Sequence, residues 1–523
     1  MTRSLLISFT MAALCFLPIW STSIDSYFYY DYPSKIYDHI FYLLILFWLL
    51  SLTAVIALIM RYSSNRFIFP LACFAAAATA AITLNTVRLE LGLTGKVSMN
   101  VLLAFCLICV CLTAYFYVKC GQVFLRILRN CILIMSPFAF LMTGTMVWRI
   151  FERVESPSEH SKSISPMRTP VNGGNKSTPR ILWMIFDELD IRFAFEHRDG
   201  LPLPHLDKLK NSSMYATNAY SAESDTLHSI PAMFSGLNLI KPVILGNQDL
   251  KFTINETQKS VTWKEIPSIF DKAKKMNLKT AILGNYHPYH KIFGNVVNYC
   301  LPSCIPEVSI WKKMTRYSRL ILNTIFFDGI PLMRRSKLFS DDIKREIFID
   351  VYQHMLDKAI PIISDPDYNL IFIHWTIPHA PGIYESSGKK FNPSYQANYF
   401  DNLVLVDETI GKIWDVSKDQ GIWDSTIVIV TSDHWLRKIM LEADICTSLN
   451  AEIKDMICHP DYRVPLMIKM PHQQEQVLYT GPFRMYHIHD MLENMLKGNI
   501  RTSADLTGWM QLQEARFTTE GLF

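Results

Sequence analysis

Long apolar stretches dominate the first part of the chain. They lie at residues 5–20, 41–60, 67–87, 101–118 and 131–148, and each is nearly free of charged side chains. Because a helix needs roughly 20 apolar residues to cross a bilayer, the pattern predicts a five-helix transmembrane bundle over residues 1–150. The first stretch alternatively reads as a cleaved signal peptide, which would leave four spans.

Charges between the stretches set the expected orientation. Residues 25–38 are acidic and aromatic, whereas Arg3 and the loops at residues 61–66 and 119–129 are basic. Basic loops are retained in the cytoplasm, so everything after Trp148 is expected outside. In a bacterium this describes a multi-pass protein of the inner membrane with its larger part in the periplasm.

The pattern changes after the last stretch. Residues 151–180 have the serine, proline and glycine content that is typical of a linker. From residue 181 onward, helical patterns alternate with apolar runs that predict buried strands, at 181–186, 280–283, 370–373, 426–431 and 465–470. This alternation predicts an α/β domain over residues 181–523, with a mostly parallel central sheet flanked by helices.

Composition narrows the class of protein. Half of the 523 residues are hydrophobic and the formal net charge is only +4, so nucleic acid is not an expected partner. Four cysteines lie in the exported part, where an oxidising compartment permits the local disulfides Cys300–Cys304 and Cys446–Cys458. A metal-binding role for the second pair is the alternative.

Polar residues stand where predicted strands end or helices begin, and active sites form at the strand ends of such sheets. The residues concerned are Asp187, Glu188, Thr226, His374, His379, Asp433 and His434. Singly, each has an ordinary explanation, because acids and threonines often cap helices and a lone histidine is often a core residue. Jointly, carboxylates and imidazoles suit zinc or a similar divalent ion.

In this order, the motifs resemble those of the sulfatase-like family of bacterial phosphoethanolamine and phosphoglycerol transferases, within the alkaline-phosphatase superfamily. The matching positions are Asp187 at a strand end, Thr226 five residues before Pro231 and then Met233-Phe234-Ser235, His374 and His379 before Ala380-Pro381, and Ser432-Asp433-His434, with Trp435 where the family has glycine. The family also places a set of membrane spans before a periplasmic catalytic domain.

The resemblance implies a divalent metal ion, with zinc expected and manganese, magnesium or calcium as alternatives. Its expected ligands are Asp187, Thr226, Asp433 and His434. Thr226 would be the nucleophile, because a metal ion lowers the pKa of the hydroxyl, and attack on a phosphodiester would give a phosphothreonine intermediate. His374 and His379 are the candidates for protonating the leaving group or holding phosphate oxygens.

The chain departs from that family around a second metal site. Cysteines that flank the threonine motif in the phosphoethanolamine transferases are absent, and the offset of a further histidine falls on Cys446. His459 is a candidate replacement, the alternative being a histidine on a surface loop. Arg437 and Arg463 are candidates for binding phosphate as fixed cations, and Glu188 is a candidate metal ligand or a first-turn helix acid.

A basic segment at residues 307–339 mixes aromatic and aliphatic side chains with Lys312, Lys313, Arg316, Arg319, Arg334 and Arg335. Such a segment can lie on an anionic membrane surface, which would suit an enzyme that consumes a lipid. A helical insertion with a solvated basic face is the alternative.

These features leave three competing functions. The first is transfer of phosphoethanolamine from a membrane phospholipid to a glycolipid or glycan acceptor such as lipid A or core sugar. The second is phosphoglycerol transfer, or hydrolysis of phosphodiesters or sulfuric esters, although the sequence after Thr226 lacks the proline and arginine that sulfatases need to make formylglycine. The third is a catalytically inactive membrane binding protein, which the complete set of acids, threonine and histidine disfavours.

Overall fold

The protein is described here from a computed structural model. Residues 3–24, 39–62, 69–90, 129–154 and 178–517 are described, apart from 199, 246–248, 326–341, 396 and 438–450, together with residues 119, 123, 126 and 127. The chain divides into an N-terminal unit (Met1–Tyr27, Ile36–Ser165, Glu307–Ile343) and a C-terminal unit (Phe28–Lys35, Pro166–Pro306, Lys344–Phe523). The segment Glu307–Ile343 thus groups with the N-terminal unit, although the sequence analysis assigns it to the α/β domain.

Helices make up the described part of the N-terminal unit. They are Arg3–Cys15, Leu17–Ile24, His39–Arg61, Phe69–Glu90, Ser136–Val154 and Ile310–Asn323. Of the described helices, one is long and apolar enough over Ile40–Arg61 to cross a membrane, and Arg3–Cys15 and Ala78–Val87 are shorter apolar helices. The first predicted span breaks after Cys15, because Pro18 lacks the N–H that a continuous helix would bond to Leu14.

The expected five-helix bundle is therefore not confirmed as a set. The span predicted at residues 101–118 lies outside the described residues, and the other spans coincide with helices. Among the described residues, only Ile40–Arg61 is both long and apolar enough to cross a membrane. On that helix, Leu43, Phe47, Leu50 and Leu58 form an exposed apolar stripe. Such a stripe is unusual on a surface in water and is typical of a helix that faces lipid.

A central sheet organises the C-terminal unit. Its strands are β1 (Arg180–Asp187), β2 (Met214–Ala216), β7 (Thr280–Gly284), β8 (Tyr299–Cys300), β9 (Leu370–Pro378), β12 (Thr426–Thr431), β13 (Leu466–Lys469) and β14 (Val477–Tyr479), in the spatial order β14-β2-β13-β12-β1-β9-β7-β8. Only β13 runs antiparallel to its neighbours, β12 and β2. The sheet is mostly parallel, as predicted, and all the predicted strands belong to it.

Small sheets and flanking helices complete the unit. The small sheets pair β3 (Ala219–Tyr220) with β15 (Phe483–Arg484), β4 (Leu239–Leu245) with β5 (Asp249–Ile254) and β6 (Ser260–Thr262), and β10 (Tyr384–Glu385) with β11 (Lys390–Phe391). The α-helices are Pro204–Asn211, Thr226–Ser235, Ile269–Lys275, Tyr289–Phe293, Asp342–Ser364, Tyr399–Asp419, Ala451–Cys458, Ile488–Leu496 and Ser503–Phe517. Short turns of other helix types lie at Arg192–Glu196, Trp263–Glu265 and Met485–His487.

Strand β1 shows why its sequence is apolar throughout. Trp183 and Ile185 pack into one hydrophobic core, whereas Met184 and Phe186 pack into a second core. Successive side chains of a strand point to opposite faces, and a strand that helices cover on both faces must bury both sets. The sheet therefore lies in the middle of the unit, between two layers of helices.

Parallel strands bring their carboxyl ends to one edge of this sheet. Asp187 ends β1, and Ile185, close to that end, is in register with Thr431 of β12 and with His374 of β9. On the far side of β9, Gly284 at the end of β7 is the partner of His374. The candidate residues of three sequence segments thus meet at one edge, next to the end of β7.

The cysteines next to this edge do not form the local disulfide that the sequence permits. Cys300 and Cys304 are both thiols, and the Cys304 sulfur donates a hydrogen bond to the Gly284 carbonyl at 2.7 Å. Cys458 is also a thiol, whereas Cys446 lies outside the described residues.

Candidate metal centre and active site

Thr226 is the first residue of the helix Thr226–Ser235, but it is not the cap of that helix. The N-cap is Asp225, whose carboxylate accepts hydrogen bonds from the His228 backbone N–H at 3.1 Å and from His228 Nδ1 at 2.7 Å. Since Asp225 is the cap and accepts the hydrogen bond from the His228 N–H, the Thr226 hydroxyl is available for another role. The ordinary explanation of Thr226 as a capping residue is therefore removed.

The loop before this helix is held by side-chain hydroxyls. Ser229 accepts a hydrogen bond from the Glu223 backbone N–H at 3.0 Å and donates one to the Glu223 carbonyl at 2.9 Å. Ser221 donates a second hydrogen bond to that carbonyl, at 2.8 Å. These contacts fix the course of the chain just before Thr226, and so they fix the position of its hydroxyl.

The Thr226 hydroxyl reaches the segment that follows β12. It donates a hydrogen bond of 2.7 Å to Asp433 Oδ2 and lies 3.3 Å from His434 Nε2. The same His434 nitrogen lies 3.3 Å from Asp433 Oδ2 and 3.9 Å from Asp187 Oδ1. Both carboxylates, the imidazole and the hydroxyl are buried. The structure therefore brings together the four residues that the resemblance assigns to a metal ion.

The chemistry of this group suits a divalent cation. Ligand atoms of Asp187, Asp433 and His434 all lie within 4.8 Å of one another. Asp187 Oδ1 is buried and has no hydrogen-bond partner among the described residues, which is costly for a carboxylate unless a cation offsets it. His434 Nδ1 donates to the Trp435 carbonyl at 2.9 Å, so the lone pair of a neutral ring is on Nε2, as metal ligation requires.

The ionisation of the two aspartates reflects their proximity. Burial, reinforced by the charges of Asp433 and Glu188, raises the pKa of Asp187 well above its usual value. Burial acts in the same direction on Asp433, but the neighbouring His434 and His374 outweigh it and lower the pKa of Asp433 to about 2. A bound divalent ion would relieve the repulsion that raises the pKa of Asp187.

Glu188 holds Arg437 beside the cluster. Its backbone has a φ of 63°, which strains a non-glycine residue, and its backbone N–H donates to Asp433 Oδ1 at 3.1 Å. Its buried carboxylate accepts a hydrogen bond from Arg437 Nε at 2.8 Å. Burial disfavours the Arg437 cation, but Glu188, Asp187 and Asp433 outweigh burial and raise its pKa. Glu188 is thus the partner of a fixed cation at the edge of the cluster.

His374 within β9 and His379 just after it differ in their surroundings. His374 is buried, its Nδ1 lies 3.0 Å from the Tyr289 hydroxyl, and its Nε2 has no partner among the described residues. Burial lowers the pKa of His374 to about 4, so the ring is neutral at pH 7. His379 is half-buried, its backbone N–H donates to the Asp187 carbonyl at 3.1 Å, and its Nδ1 lies 2.7 Å from the Ala380 carbonyl.

Two further candidates lie away from the cluster. The His459 side chain is 77% exposed, and its Nδ1 lies 3.2 Å from Asp455 Oδ1 in the preceding helix. His459 is therefore a histidine on the surface. Arg463 forms hydrogen bonds of 2.8 and 2.9 Å with both carboxylate oxygens of Glu196 and one of 2.7 Å with Asp461. The charge of Arg463 is therefore engaged in a structural ion-pair network. Neither His459 nor Arg463 contacts the cluster around Thr226.

Sequence reasoning missed the residues after β7. His287 is fully buried and its Nε2 donates to the Thr226 carbonyl at 2.9 Å. Burial lowers the pKa of His287 to about 3, so this ring is neutral as well. Tyr289 reaches His374, as described above. The usable signal was that residues 285–289 are polar and aromatic and directly follow the apolar run at residues 280–283.

The metal assignment predicts the effect of removing one ligand. Asp187→Asn, Asp433→Asn and His434→Gln should each weaken divalent-ion binding by more than about 100-fold, because each removes a direct ligand. Removing a residue that only holds a ligand in place costs up to about 100-fold. Binding is measured on the full-length protein in detergent, by competition with a chromophoric chelator and by elemental analysis.

A matched control comes from another acidic cluster, formed by His489, Asp490 and Glu493. Lys272 and Lys497 already pair with Glu493 there, so Asp490→Asn should leave the metal content unchanged. Wild-type metal affinity in all three ligand variants would contradict the assignment.

Comparison with known proteins agrees with this architecture. Residues 181–497, more than half of the chain, match the Sulfatase family. A curated relative, bis(5'-adenosyl)-triphosphatase ENPP4 of Pongo abelii, is 29% identical over 87 residues, which are 16% of this chain and only 18% of that protein.

The solved structures that match this chain have low sequence identity to it. The PsFucS1 sulfatase of Pseudoalteromonas sp. is 16% identical, with 61% of this chain and 68% of that chain covered and a TM-score of 0.41. The lipoteichoic acid synthase LtaP of Listeria monocytogenes is 16% identical, with 61% and 72% covered and a TM-score of 0.34. From the family match over residues 181–497, the chain belongs to the Sulfatase family.

Proposed function

We propose that this member of the Sulfatase family is a metal-dependent transferase that moves phosphoethanolamine from a membrane phospholipid to an envelope glycolipid such as lipid A or core sugar. The observation that carries the proposal is the hydrogen bond of 2.7 Å from the Thr226 hydroxyl to Asp433 Oδ2 at the N-terminus of a helix. Enzymes of this superfamily are hydrolases or transferases that act on phosphate or sulfate esters, and this geometry suits a covalent route through Thr226.

The chain's own residues explain how a phosphate ester would be bound. Backbone N–H groups in the first turn of the helix Thr226–Ser235 carry partial positive charge, which favours a phosphate there. Arg437 adds a permanent cation, which Glu188 holds in place. His374 adds a buried neutral ring whose Nε2 faces away from Tyr289.

The transfer then takes two displacements. In the first, the Thr226 oxygen bonds to phosphorus, the bond from phosphorus to the lipid oxygen breaks, and the hydroxyl proton ends on the departing diacylglycerol. In the second, the acceptor hydroxyl bonds to phosphorus, and the Thr226 oxygen leaves and regains a proton. A divalent ion held by Asp187, Asp433 and His434 would supply Lewis acidity that lowers the pKa of the Thr226 hydroxyl.

Phosphoryl chemistry is favoured over hydrolysis of sulfate esters. The nucleophile position holds threonine, and Leu227-His228-Ser229 follows it without the proline and arginine of a formylglycine motif. An unmodified hydroxyl suits a phosphoryl acceptor that later passes the group on. Phosphoglycerol transfer and phosphodiester hydrolysis use the same nucleophile and are outcomes of the test below.

A lipid donor requires a membrane location, and features of the N-terminal unit support one. The exposed stripe Leu43, Phe47, Leu50 and Leu58 lies on a helix long enough to span a bilayer. The basic helix Ile310–Asn323 packs on that helix, through a hydrogen bond of 3.1 Å from Trp48 Nε1 to Ser318. We propose a multi-pass protein of the bacterial inner membrane whose C-terminal unit lies in the periplasm, with the segment 307–339 near the lipid surface.

Loss of the nucleophile tests the proposed function. Thr226→Ala should lower transfer more than about 10³-fold, because it removes the hydroxyl that would form the covalent bond, whereas Thr226→Ser should retain part of it. The measurement is mass spectrometry of envelope glycolipids from cells that lack the protein or carry each variant. Only active variants should give a phosphoethanolamine-sized addition.

The control is Thr257→Ala, on an exposed turn, which should behave as wild type. A glycolipid profile that does not depend on the protein would exclude phosphoethanolamine transfer, and a phosphoglycerol-sized addition would favour the second transferase. Full activity of Thr226→Ala would refute the covalent mechanism for every substrate.

The Arg437 cation gives a second prediction. Arg437→Ala should lower kcat/KM about 100-fold, a typical loss for one charge-stabilising donor, and Arg437→Lys should recover little because lysine cannot keep the same geometry at Glu188. Turnover is followed with fluorescently labelled phosphatidylethanolamine. Arg463→Lys is the matched control, since Arg463 is a paired cation outside the cluster. Equal activity of Arg437→Ala and the control would contradict the role of Arg437.

A further inference from the structure

We infer that Tyr289 is a positioning residue that fixes the tautomer of His374, so that the His374 ring acts on the bound substrate as a hydrogen-bond donor through Nε2. That this hydrogen bond goes to a non-bridging oxygen of a phosphate ester rests on the proposed function. The tautomer itself depends only on the contacts of the C-terminal unit.

The contact between the Tyr289 and His374 side chains is short and is buried away from water. The Tyr289 hydroxyl lies 3.0 Å from His374 Nδ1, and the residues are only 2% and 1% exposed. The Tyr289 ring packs among Phe234, Phe372 and His287, with ring centroids 5.7 to 6.1 Å apart. Water therefore does not compete for the hydroxyl, and the ring that carries it is held on several sides.

The strand register makes room for this contact at Gly284. Gly284 is the partner of His374 across β7 and β9. A Cβ atom at Gly284 would lie 2.6 Å from Tyr289 Cε2 and 3.0 Å from His374 Cβ, and both distances are too short for carbon atoms. The absence of a side chain at this position is what lets Tyr289 approach His374.

The direction of the hydrogen bond follows from the partners of the hydroxyl. Among the described residues, His374 Nδ1 is the hydrogen-bond partner of the Tyr289 oxygen, and a buried hydroxyl donates to an acceptor when it has one. Burial, together with the charge of Asp433, raises the pKa of Tyr289 well above its usual value, so the hydroxyl keeps its proton. With the hydroxyl as donor, Nδ1 is the acceptor, and the ring proton of a neutral His374 is on Nε2. The Asn285 backbone also interacts with the ring and favours its protonation, but it forms no hydrogen bond with Nε2.

The Nε2–H group has a defined role at the site. Nε2 is buried without a partner among the described residues, and an unmet buried donor is unfavourable. It faces away from Tyr289, and the ring is electrostatically coupled to Asp433 and His434. A phosphate oxygen at Thr226 would satisfy this donor. His374 would therefore stabilise charge on the substrate, and it would not bind a second metal ion, which needs a lone pair on Nε2.

Tyr289→Phe tests the inference, since it removes the hydroxyl and keeps the ring. We expect kcat/KM to fall about 10- to 100-fold, mainly through kcat, because a wrong tautomer removes an interaction that develops in the transition state. The matched control is Tyr352→Phe, which removes an equally buried hydroxyl that contacts Thr409 at 2.7 Å. It should stay within about twofold of wild type, as is usual for changes far from the site.

A double-mutant cycle separates positioning from a merely structural role. In a His374→Gln background, Tyr289→Phe should change kcat/KM by less than about twofold, because Tyr289 acts through His374. Equal losses in the presence and absence of His374 would overturn the inference. Thermal unfolding midpoints of all variants are measured in parallel.

The tautomer is read directly from full-length protein with ¹⁵N-labelled histidine rings, with His374→Gln assigning the signals. Wild type should show His374 with Nε2 protonated, and Tyr289→Phe should shift it towards a mixture. A wild-type ring protonated on Nδ1, or a spectrum that Tyr289→Phe leaves unchanged, would overturn the inference. Because this readout needs no substrate, an Nε2–H signature in a protein that transfers no phosphoethanolamine would refute the proposed function and retain the inference.

Discussion

The hydrogen bond from the Thr226 hydroxyl to Asp433 Oδ2, at 2.7 Å, joins two parts of the chain that are more than two hundred residues apart in sequence. It exists because a helix begins beside the end of a parallel strand. Asp225 provides the helix cap, and this leaves the Thr226 side chain free to turn towards the sheet edge. The sheet register, the cap and the buried aspartate therefore all contribute to placing a single hydroxyl.

Burial is the constraint that makes this arrangement chemically useful. Asp187 and Asp433 are both removed from water, and burial, reinforced by the charge of Asp433, raises the pKa of Asp187. A cluster of this kind is costly in an apolar interior unless cations offset it. Arg437 is paired with Glu188 beside the cluster, and burial keeps the His374 and His287 rings neutral. The ligand atoms of Asp187, Asp433 and His434 suit a divalent ion. The same low polarity would strengthen every interaction with a bound phosphate.

Much of the fold could be predicted because it follows from local patterns. The run at residues 181–186 is apolar on both faces, and the structure shows it between two cores. Strand ends then indicated Asp187, Asp433 and His434. The membrane bundle was predicted from hydropathy alone, and of the described helices only Ile40–Arg61 passes the length and hydropathy criteria of a span. The grouping of Glu307–Ile343 with the N-terminal unit was not predictable, because it depends on contacts far apart in sequence.

The residues whose roles the sequence left open, or did not indicate, share one feature, which is that their roles depend on a partner. His459 and Arg463 have suitable chemistry, but Asp455 and Glu196 hold them elsewhere. Tyr289 has no motif, and its importance comes from a 3.0 Å contact that a glycine on the neighbouring strand permits. Glu188 was a candidate metal ligand from its position alone, and the structure shows its Oε1 accepting a hydrogen bond from Arg437.

The central claim is that Thr226 carries the transferred group, and the most direct measurement is to find that group on it. Purified full-length protein is incubated with phosphatidylethanolamine labelled in the ethanolamine, quenched before acceptor is added, digested and sequenced by tandem mass spectrometry. The account predicts labelled phosphoethanolamine on the Thr226 hydroxyl, lost when acceptor glycolipid is added. A protein that completes transfer while Thr226 stays unmodified, or that carries the label on another residue, would contradict it.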